Sequence, residues 1–262
     1  MKKVIFCIRG GGVKAGSSVG AMKVLEENKI EISEFSGTSI GGIVAALAAI
    51  GTPTTEILDL LKQWVVIFSE SNRLAEGKGS SIIEEAMNKQ CEYRKFKDVE
   101  TPLYIAANCG GLWNTKPFIF NKWNSPDVTL GEACRASSSF PICYERYNLV
   151  VNGKRMRFWD GGMAMNPFLP DAGYGEKVRI CSSFRKNKVN YMSRYKWAWM
   201  APENNAEITL LPYVGKMGSF GTPQDIELAY IAGYNETQKR IGEILEKIYD
   251  EPKSWDDIIP NI

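Results

Sequence analysis

Apolar residues along this chain follow two periods, and the two alternate. Val4 to Ile8 (VIFCI) is a short unbroken apolar run of the kind a buried strand shows. A glycine loop follows, then SSVGAMKVLEENK, whose apolar residues recur at helical spacing and predict an amphipathic helix. EISEFSG is strand-like and leads through the turn GTSIG into a strongly apolar helix, IGGIVAALAAIG. Pro53 opens another helix over TTEILDLLKQWVVIF, within which Trp64 to Phe68 reads as a helix end in the core. Residues 69–80 (SESNRLAEGKGS) are polar and predict a loop, and SIIEEAMNKQ a further helix. LYIAAN (residues 103–108) and PFIFN predict strands. LVVNGKRMRF sets Asn152-Gly153 between two β-rich runs, a strong hairpin signal. KVRICSSF and EITLLPYV read as late strands, and PQDIELAYIAGYNETQKRIGEILEKIY as one long helix. Strand and helix patterns in alternation, without repeats or a low-complexity linker, predict an α/β sheet with helices on both faces and one domain over residues 1–262.

Composition adds mainly exclusions. The chain has 262 residues, 44% apolar and 24% charged, with 32 basic and 30 acidic residues for a formal net charge of +2. These are ordinary globular values for a length that can bury a substantial core. With no basic arm or acidic tail, no nucleic-acid partner is expected. The first apolar run is too short for a signal peptide, and no run approaches the roughly 18 apolar residues of a membrane span, so a cytoplasmic protein is expected. Cys7, Cys91, Cys109, Cys134, Cys143 and Cys181 form no C-x-x-C pair and read as small buried hydrophobes in a reducing compartment. There is no histidine at all. A zinc-type site would need cysteine or carboxylate ligands alone, and their spacing offers none.

Two stretches carry candidate chemistry. Gly37-Thr38-Ser39-Ile40-Gly41 matches G-x-S-x-G between a strand pattern and an apolar helix. In a nucleophile elbow, small residues two before and two after the serine leave room for a sharp turn, and the next helix aims its N–H groups at the reaction centre. A Gly/Ser cap under a buried helix has the same sequence, so Ser39 stands as nucleophile or cap. The loop Arg9-Gly10-Gly11-Gly12-Val13-Lys14-Ala15-Gly16 admits three readings. As a lax G-x-G-x-x-A dinucleotide loop it needs an acidic ribose partner, for which Glu34 is the nearby choice. As a P-loop it fails, because Ser17 stands where the phosphate-binding lysine belongs. As an oxyanion hole its amides converge on a substrate carbonyl. Loop and elbow together favour the third. Without histidine a base must come from Asp, Glu, Lys or Tyr. Asp160, in Phe158-Trp159-Asp160-Gly161-Gly162 at the end of the hairpin, is the most suggestive, although an ordinary Asp-Gly turn reads the same way.

GGGVK after the first strand, GTSIG at the second turn, CRASSSFPICY and DGG, in that order, resemble the patatin-like phospholipases over residues 3–167, with a looser echo in TPQDIELAYIAGY. The resemblance implies a three-layer α/β/α sandwich with a mostly parallel sheet and a lipid acyl hydrolase that needs neither metal nor cofactor. It implies a Ser–Asp dyad of Ser39 as nucleophile and Asp160 as base. It also implies an oxyanion hole from the amides of Gly11, Gly12, Val13 and Ile40, with Gly10, Lys14, Gly37, Gly41, Gly161 and Gly162 as the supporting motif positions. Ala133, Arg135, Ala136, Ser137, Ser139 and Pro141 fit the family's third motif and are expected to support the site from a helix end, Arg135 as a brace. The family usually has glycine after the basic residue, and here it is Ala15; if positive φ is needed there, the loop shifts at a cost of order 1 kcal/mol or Gly16 takes the turn. The implied substrate is a phospholipid or other acyl ester, with peripheral contact at a membrane surface. A segment mixing Trp197 and Trp199 with Arg185, Lys186, Lys188 and Arg194 reads as interfacial or as core aromatics beside a solvated face. A small-ester esterase or acyltransferase with the same dyad, and a silent binding protein on the fold, are the rival readings.

Overall fold

The structure is a computed structural model that describes residues 1–73, 79–141, 143–173, 175–184 and 205–250, with side chains except at 68–73 and 79–80. It is mixed α/β, a central sheet flanked by helices. The strands are β1 (Lys3–Ile8), β2 (Ile32–Thr38), β3 (Leu103–Asn108), β4 (Pro117–Phe120), β5 (Tyr147–Val151), β6 (Lys154–Asp160), β7 (Lys177–Ser182) and β8 (Ile208–Leu210). The helices are α1 (Gly16–Glu27), α2 (Ile40–Ala49), α3 (Thr54–Arg73), α4 (Gly79–Gln90), α5 (Leu130–Ser137), α6 (Pro223–Lys239) and α7 (Ile241–Tyr249).

β1 is central because Val4 to Ile8 is buried on both faces, as an unbroken apolar run requires. It pairs in parallel with β2 and with β7, β2 pairs in parallel with β3, and β7 with β8. The strand order reverses at β1, and the carboxyl ends of the strands at such a point are the usual place for a site in sheets of this kind. β3 is shared unusually. One edge pairs with β4 from Ile105 to Asn108, while the other pairs with β2 from Leu103 to Ala106 and then with β6 at Ala107 and Asn108. The β5–β6 hairpin turns at Asn152 and Gly153, both at positive φ, as the Asn-Gly pair predicts.

All seven helices among the described residues add apolar residues to one large cluster on Val4, Phe6 and Ile8 of β1, including Leu25, Ile43, Ile57, Met87, Ala133, Ile226 and Ile244. α5, the site-supporting helix end expected from the third motif, is a complete helix that begins with a capping box. Thr129 Oγ1 accepts from Glu132 N at 3.1 Å, and Glu132 accepts from Thr129 N at 2.8 Å. None of the six cysteines forms a disulfide, and burial pushes the thiols of Cys7, Cys91 and Cys134 upward.

The structure departs from the sequence expectations at four places. The predicted loop at 69–80 is shortened from both sides, because α3 continues to Arg73 and α4 starts at Gly79. Residues 69–73 contain no Gly or Pro, so their composition does not stop the helix. In the same helix Trp64 is buried, but Val66 and Ile67 are turned to solvent by the helical period. The long final helix is broken at Arg240, whose guanidinium bonds the carbonyl of Thr209 on β8 and the carboxylate of Glu243. The late strand is only Ile208–Leu210. The segment with Trp197 and Trp199 lies outside the described residues. Among the described residues no helix is long and apolar enough to cross a membrane.

α1 and α6 approach so closely that a Cβ on Gly20 would collide with the carbonyl of Tyr230, and one on Gly233 with that of Ser17. Gly20→Ala should therefore destabilise the fold by about 1–3 kcal/mol despite alanine's better helix propensity. Gly242→Ala in α7, where nothing lies within 4 Å, should be neutral or stabilising by about 0.5 kcal/mol. Urea unfolding of the two variants against the parent chain measures both.

Candidate active site

Ser39 lies between β2 and α2, as the N-cap of α2, with φ 54° and ψ −130°, a conformation strained for a residue with a side chain. Its neighbours explain how the turn closes. A Cβ on Gly37 would collide with the carbonyl of Gly41, and a Cβ on Gly41 with the carbonyl of Ile8. These are the two small positions that an elbow demands. The turn is held by Ser137 on α5, whose Oγ accepts from Ser39 N at 2.7 Å and donates to the carbonyl of Ala106 at 2.6 Å. The Ser39 carbonyl in turn accepts from Gly42 N at 2.8 Å, fixing the first turn of α2. Ser39 itself is half-buried.

Asp160 reaches Ser39 through the shared edge of β3. Thr38 pairs with Ala106, and Asp160 pairs with Ala107, so the residue after Thr38 and the last residue of β6 are set side by side. The Ser39 side chain lies beside the Asp160 carboxylate, close enough to lower its pKa. Asp160 is 5% exposed. Its Oδ1 accepts from Gly162 N at 2.7 Å and its own N–H donates to the Ser139 carbonyl at 2.9 Å. Burial pushes its carboxyl up to about 6, and the Ser39 side chain and the hydrogen bond from Gly162 hold it back from rising further. Gly161 lies where a Cβ would strike the Ala106 carbonyl, so this turn too is packed against β3.

The glycine loop runs over the elbow. A Cβ on Gly10 would come within 2.9 Å of Ser39 Cβ, so a side chain there would crowd the serine. Gly10 N donates to Asn166 Oδ1 at 2.7 Å, which ties the loop to the segment following Asp160. Gly12 has φ 62° and is pressed against the carbonyl of Ser219, in the loop between β8 and α6. Val13 differs from its expected role as an oxyanion donor: its N–H is directed to that same carbonyl at 3.2 Å. The amides of Gly11 and Gly12 meet no acceptor among the described residues, and Ile40 N begins α2 beside Ser39. Ala15 has φ −61°, an ordinary helical value, so the residue after Lys14 needs no positive φ and its side chain is unstrained. Lys14 is buried with its Nζ 4.9 Å from the centre of the Phe184 ring, which also lies under Arg9 at 5.5 Å and against Gly11.

Arg135 points away from this centre, paired with Glu84 at 2.9 Å and Glu145 at 3.3 Å and stacked over Tyr147 at 4.2 Å. Glu34 sits buried against Lys177 at 2.7 Å, so it is not at the loop where a ribose would need it. Asn166 and Phe184 were not singled out by the sequence. Asn166 had only its place before Pro167 in the DGG segment as a signal, and Phe184 had none beyond ending the KVRICSSF run. Among the described residues no group of three or more Cys, Asp or Glu side chains could hold a metal ion.

Solved structures share this arrangement of elements at low sequence identity. VipD from Legionella pneumophila superposes with a TM-score of 0.60 at 11% identity, over 92% of this chain and 67% of that one. ExoU, in its heterodimeric complex with SpcU from the type III secretion system of Pseudomonas aeruginosa, gives 0.58 at 17% identity, over 96% and 52%. Human GIVD cytosolic phospholipase A2 gives 0.57 at 10% identity, over 94% and 60%. Among sequences, Uncharacterized protein YqhO of Bacillus subtilis (strain 168) is 29% identical over 185 residues, 60% of this chain and 62% of that protein. Uncharacterized protein R571 of Acanthamoeba polyphaga mimivirus is 25% identical over 177 residues, 61% and 58%. The matches thus span about three fifths of these relatives' length. The profile of the patatin-like phospholipases matches residues 6–172, which run from β1 past Asp160 and take in both candidate motifs. This chain belongs to the patatin-like phospholipase family.

Proposed function

We propose that the chain is a serine-dependent lipid acyl hydrolase of phospholipase A type, with Ser39 as nucleophile and Asp160 as base. The observation that carries the reading is a strained, half-buried Ser39 set beside a buried Asp160 whose carboxyl is raised to about 6. Asp160 takes the Ser39 proton as Oγ attacks the ester carbonyl. The negative charge thereby leaves a carboxylate that burial disfavours and moves to the substrate oxygen. The amides of Gly11, Gly12 and Ile40 stabilise it there, each such donor contributing about 10²–10³ in rate. The protonated Asp160 returns its proton to the leaving alcohol or lysolipid. Water, deprotonated by Asp160, then cleaves the acyl-serine. A carboxyl near 6 is a better base at neutral pH than one at its ordinary value, so burial serves the chemistry.

Fatty-acid release from mixed phospholipid vesicles, with a soluble p-nitrophenyl ester alongside, tests the reading. Wild type should release fatty acid, whereas Ser39→Ala and Asp160→Asn should each lose at least about 10³-fold in kcat/KM. Equal activity in all three proteins would overturn the dyad, and hydrolysis of the soluble ester alone would point to a small-ester esterase. For wild type, kcat/KM should rise about tenfold per pH unit up to pH about 6 and then level off, as the base deprotonates.

Stability should run the other way. The native pKa of Asp160 exceeds the unfolded one, so the folded state binds more protons between them. The stability this group contributes is full below pH about 4 and is lost as pH rises through about 6. Asp160→Asn should therefore be more stable than wild type at pH 8, by on the order of 2 kcal/mol, with the gain shrinking toward pH 4. Thermal or urea unfolding across that range reads the difference directly.

A further inference from the structure

Three segments of the chain meet at the candidate site, and one side chain joins them. Ser39 follows β2, Asp160 ends β6, and the glycine loop follows β1. The segment after Asp160 is fixed to β2 by hydroxyl groups. Thr38 Oγ1 donates to the Met165 carbonyl at 3.1 Å, and Ser36 Oγ to the Phe168 carbonyl at 2.6 Å. Met165 N also donates to the Gly161 carbonyl at 2.8 Å, which closes the turn next to Asp160. Asn166 stands between these anchors, half-buried, with its side-chain amide directed at the glycine loop. Its Oδ1 accepts from Gly10 N at 2.7 Å, and its Nδ2 donates to the Gly10 carbonyl at a longer 3.5 Å. One side chain thus pairs with both backbone groups of one residue, as the peptide of an adjacent strand would. Gly10 can carry no side chain to hold itself in place, because a Cβ there would come within 2.8 Å of the Thr38 carbonyl and 2.9 Å of Ser39 Cβ.

The consequence falls on the next peptide unit. The Gly10 carbonyl and the Gly11 N–H belong to one planar trans peptide, so they point in opposite directions. Holding the carbonyl therefore fixes the direction of the Gly11 amide, which meets no acceptor among the described residues. Glycine has more backbone freedom than any other residue, and a run of them would otherwise leave these peptides free to rotate. We infer that Asn166 is a positioning residue for the oxyanion site, holding the Gly10–Gly11 peptide so that the Gly11 amide is directed at the developing charge before Ser39 attacks. The inference rests on the hydrolase reading of Ser39 and Asp160, and adds a residue that acts through the glycine loop without touching the substrate. Because Asn166 is anchored on both sides to β2, the strand that leads to Ser39, nucleophile, base and anion donor are held in one frame. A donor fixed in advance needs no reorganisation when charge develops, which is where such groups gain most of their effect.

Kinetics of Asn166→Ala and Asn166→Asp on monomeric p-nitrophenyl butyrate, in the full chain, test this. Asn166→Ala should lower kcat about 10²-fold with KM within about threefold, the signature of a lost preorganised donor. An alkyl trifluoromethyl ketone, which adds to the serine and forms a like oxyanion, should bind more weakly by a similar factor. Asn166→Asp separates positioning from packing. A protonated carboxyl has the shape of the amide, with one oxygen to accept from Gly10 N and an O–H to donate to its carbonyl, whereas the carboxylate cannot donate. The ratio of its kcat to that of wild type should therefore rise at least about fivefold from pH 8 to pH 5. Hydrogen exchange reads the contact without any reaction. The Gly10 amide should exchange at least about tenfold faster in Asn166→Ala, while the Val13 amide, bonded to Ser219, stays within about threefold of wild type. Unchanged kcat and ketone affinity in Asn166→Ala would overturn the inference and leave the hydrolase reading standing. A ratio for Asn166→Asp that is flat with pH, with activity falling only as the folded fraction falls, would reduce Asn166 to a structural residue and overturn it as well. A wild type inert on every ester, whose Gly10 amide still loses protection in Asn166→Ala, would keep the hold on the loop and overturn the hydrolase reading.

Discussion

One edge of β3 serves two partners, and the candidate site depends on that division. β2 holds the edge as far as Ala106 and then turns away into α2; β6 arrives from the hairpin and takes the next two positions. Where one strand leaves and the other ends, Ser39 and Asp160 meet. Their separation is thus set by backbone pairing on a shared strand and not by a loop. That is the rigid support a reacting pair needs. Ser137 tightens the same joint, since it bonds both the Ala106 carbonyl of β3 and the amide of Ser39.

The site holds costs that the rest of the fold has to offset. Ser39 occupies a region of backbone space that costs of order 1–3 kcal/mol, and Asp160 is a carboxylate that burial disfavours. Both are held by a large core in which β1 is buried on both faces and every helix takes part. The absence of histidine makes the electrostatics simpler than in a triad. A neutral base would create an ion pair on accepting the proton, whereas in the proposed mechanism Asp160 passes on a single negative charge. In that proposal the total charge of the site stays constant, and its location moves from the carboxylate to the oxyanion.

Much of this was legible in the residues. The unbroken VIFCI run gave the central strand, Asn152-Gly153 the hairpin, and the small residues flanking Ser39 the elbow, because each pattern has few physical solutions. The missed features depend on partners far away in sequence. Nothing in PQDIELAYIAGYNETQKRIGEILEKIY marks the break at Arg240, which comes with a contact to Thr209 on another strand. Val13 looks like any loop amide until the Ser219 carbonyl is placed against it. Ala15 stands where the family usually has glycine, but its helical φ shows that the positive-φ position is Gly12 instead.

The contact between Gly12 and Ser219 carries this further. The segment that matches the family profile ends at residue 172, yet the wall against which the glycine loop is set comes from the β8–α6 loop, and α6 also packs on α1 just beyond it. The signature residues therefore do not suffice to shape their own glycine loop. A polypeptide holding every motif from GGGVK to DGG but lacking the later part of the chain would keep the chemistry's vocabulary and lose part of the surface that gives it form.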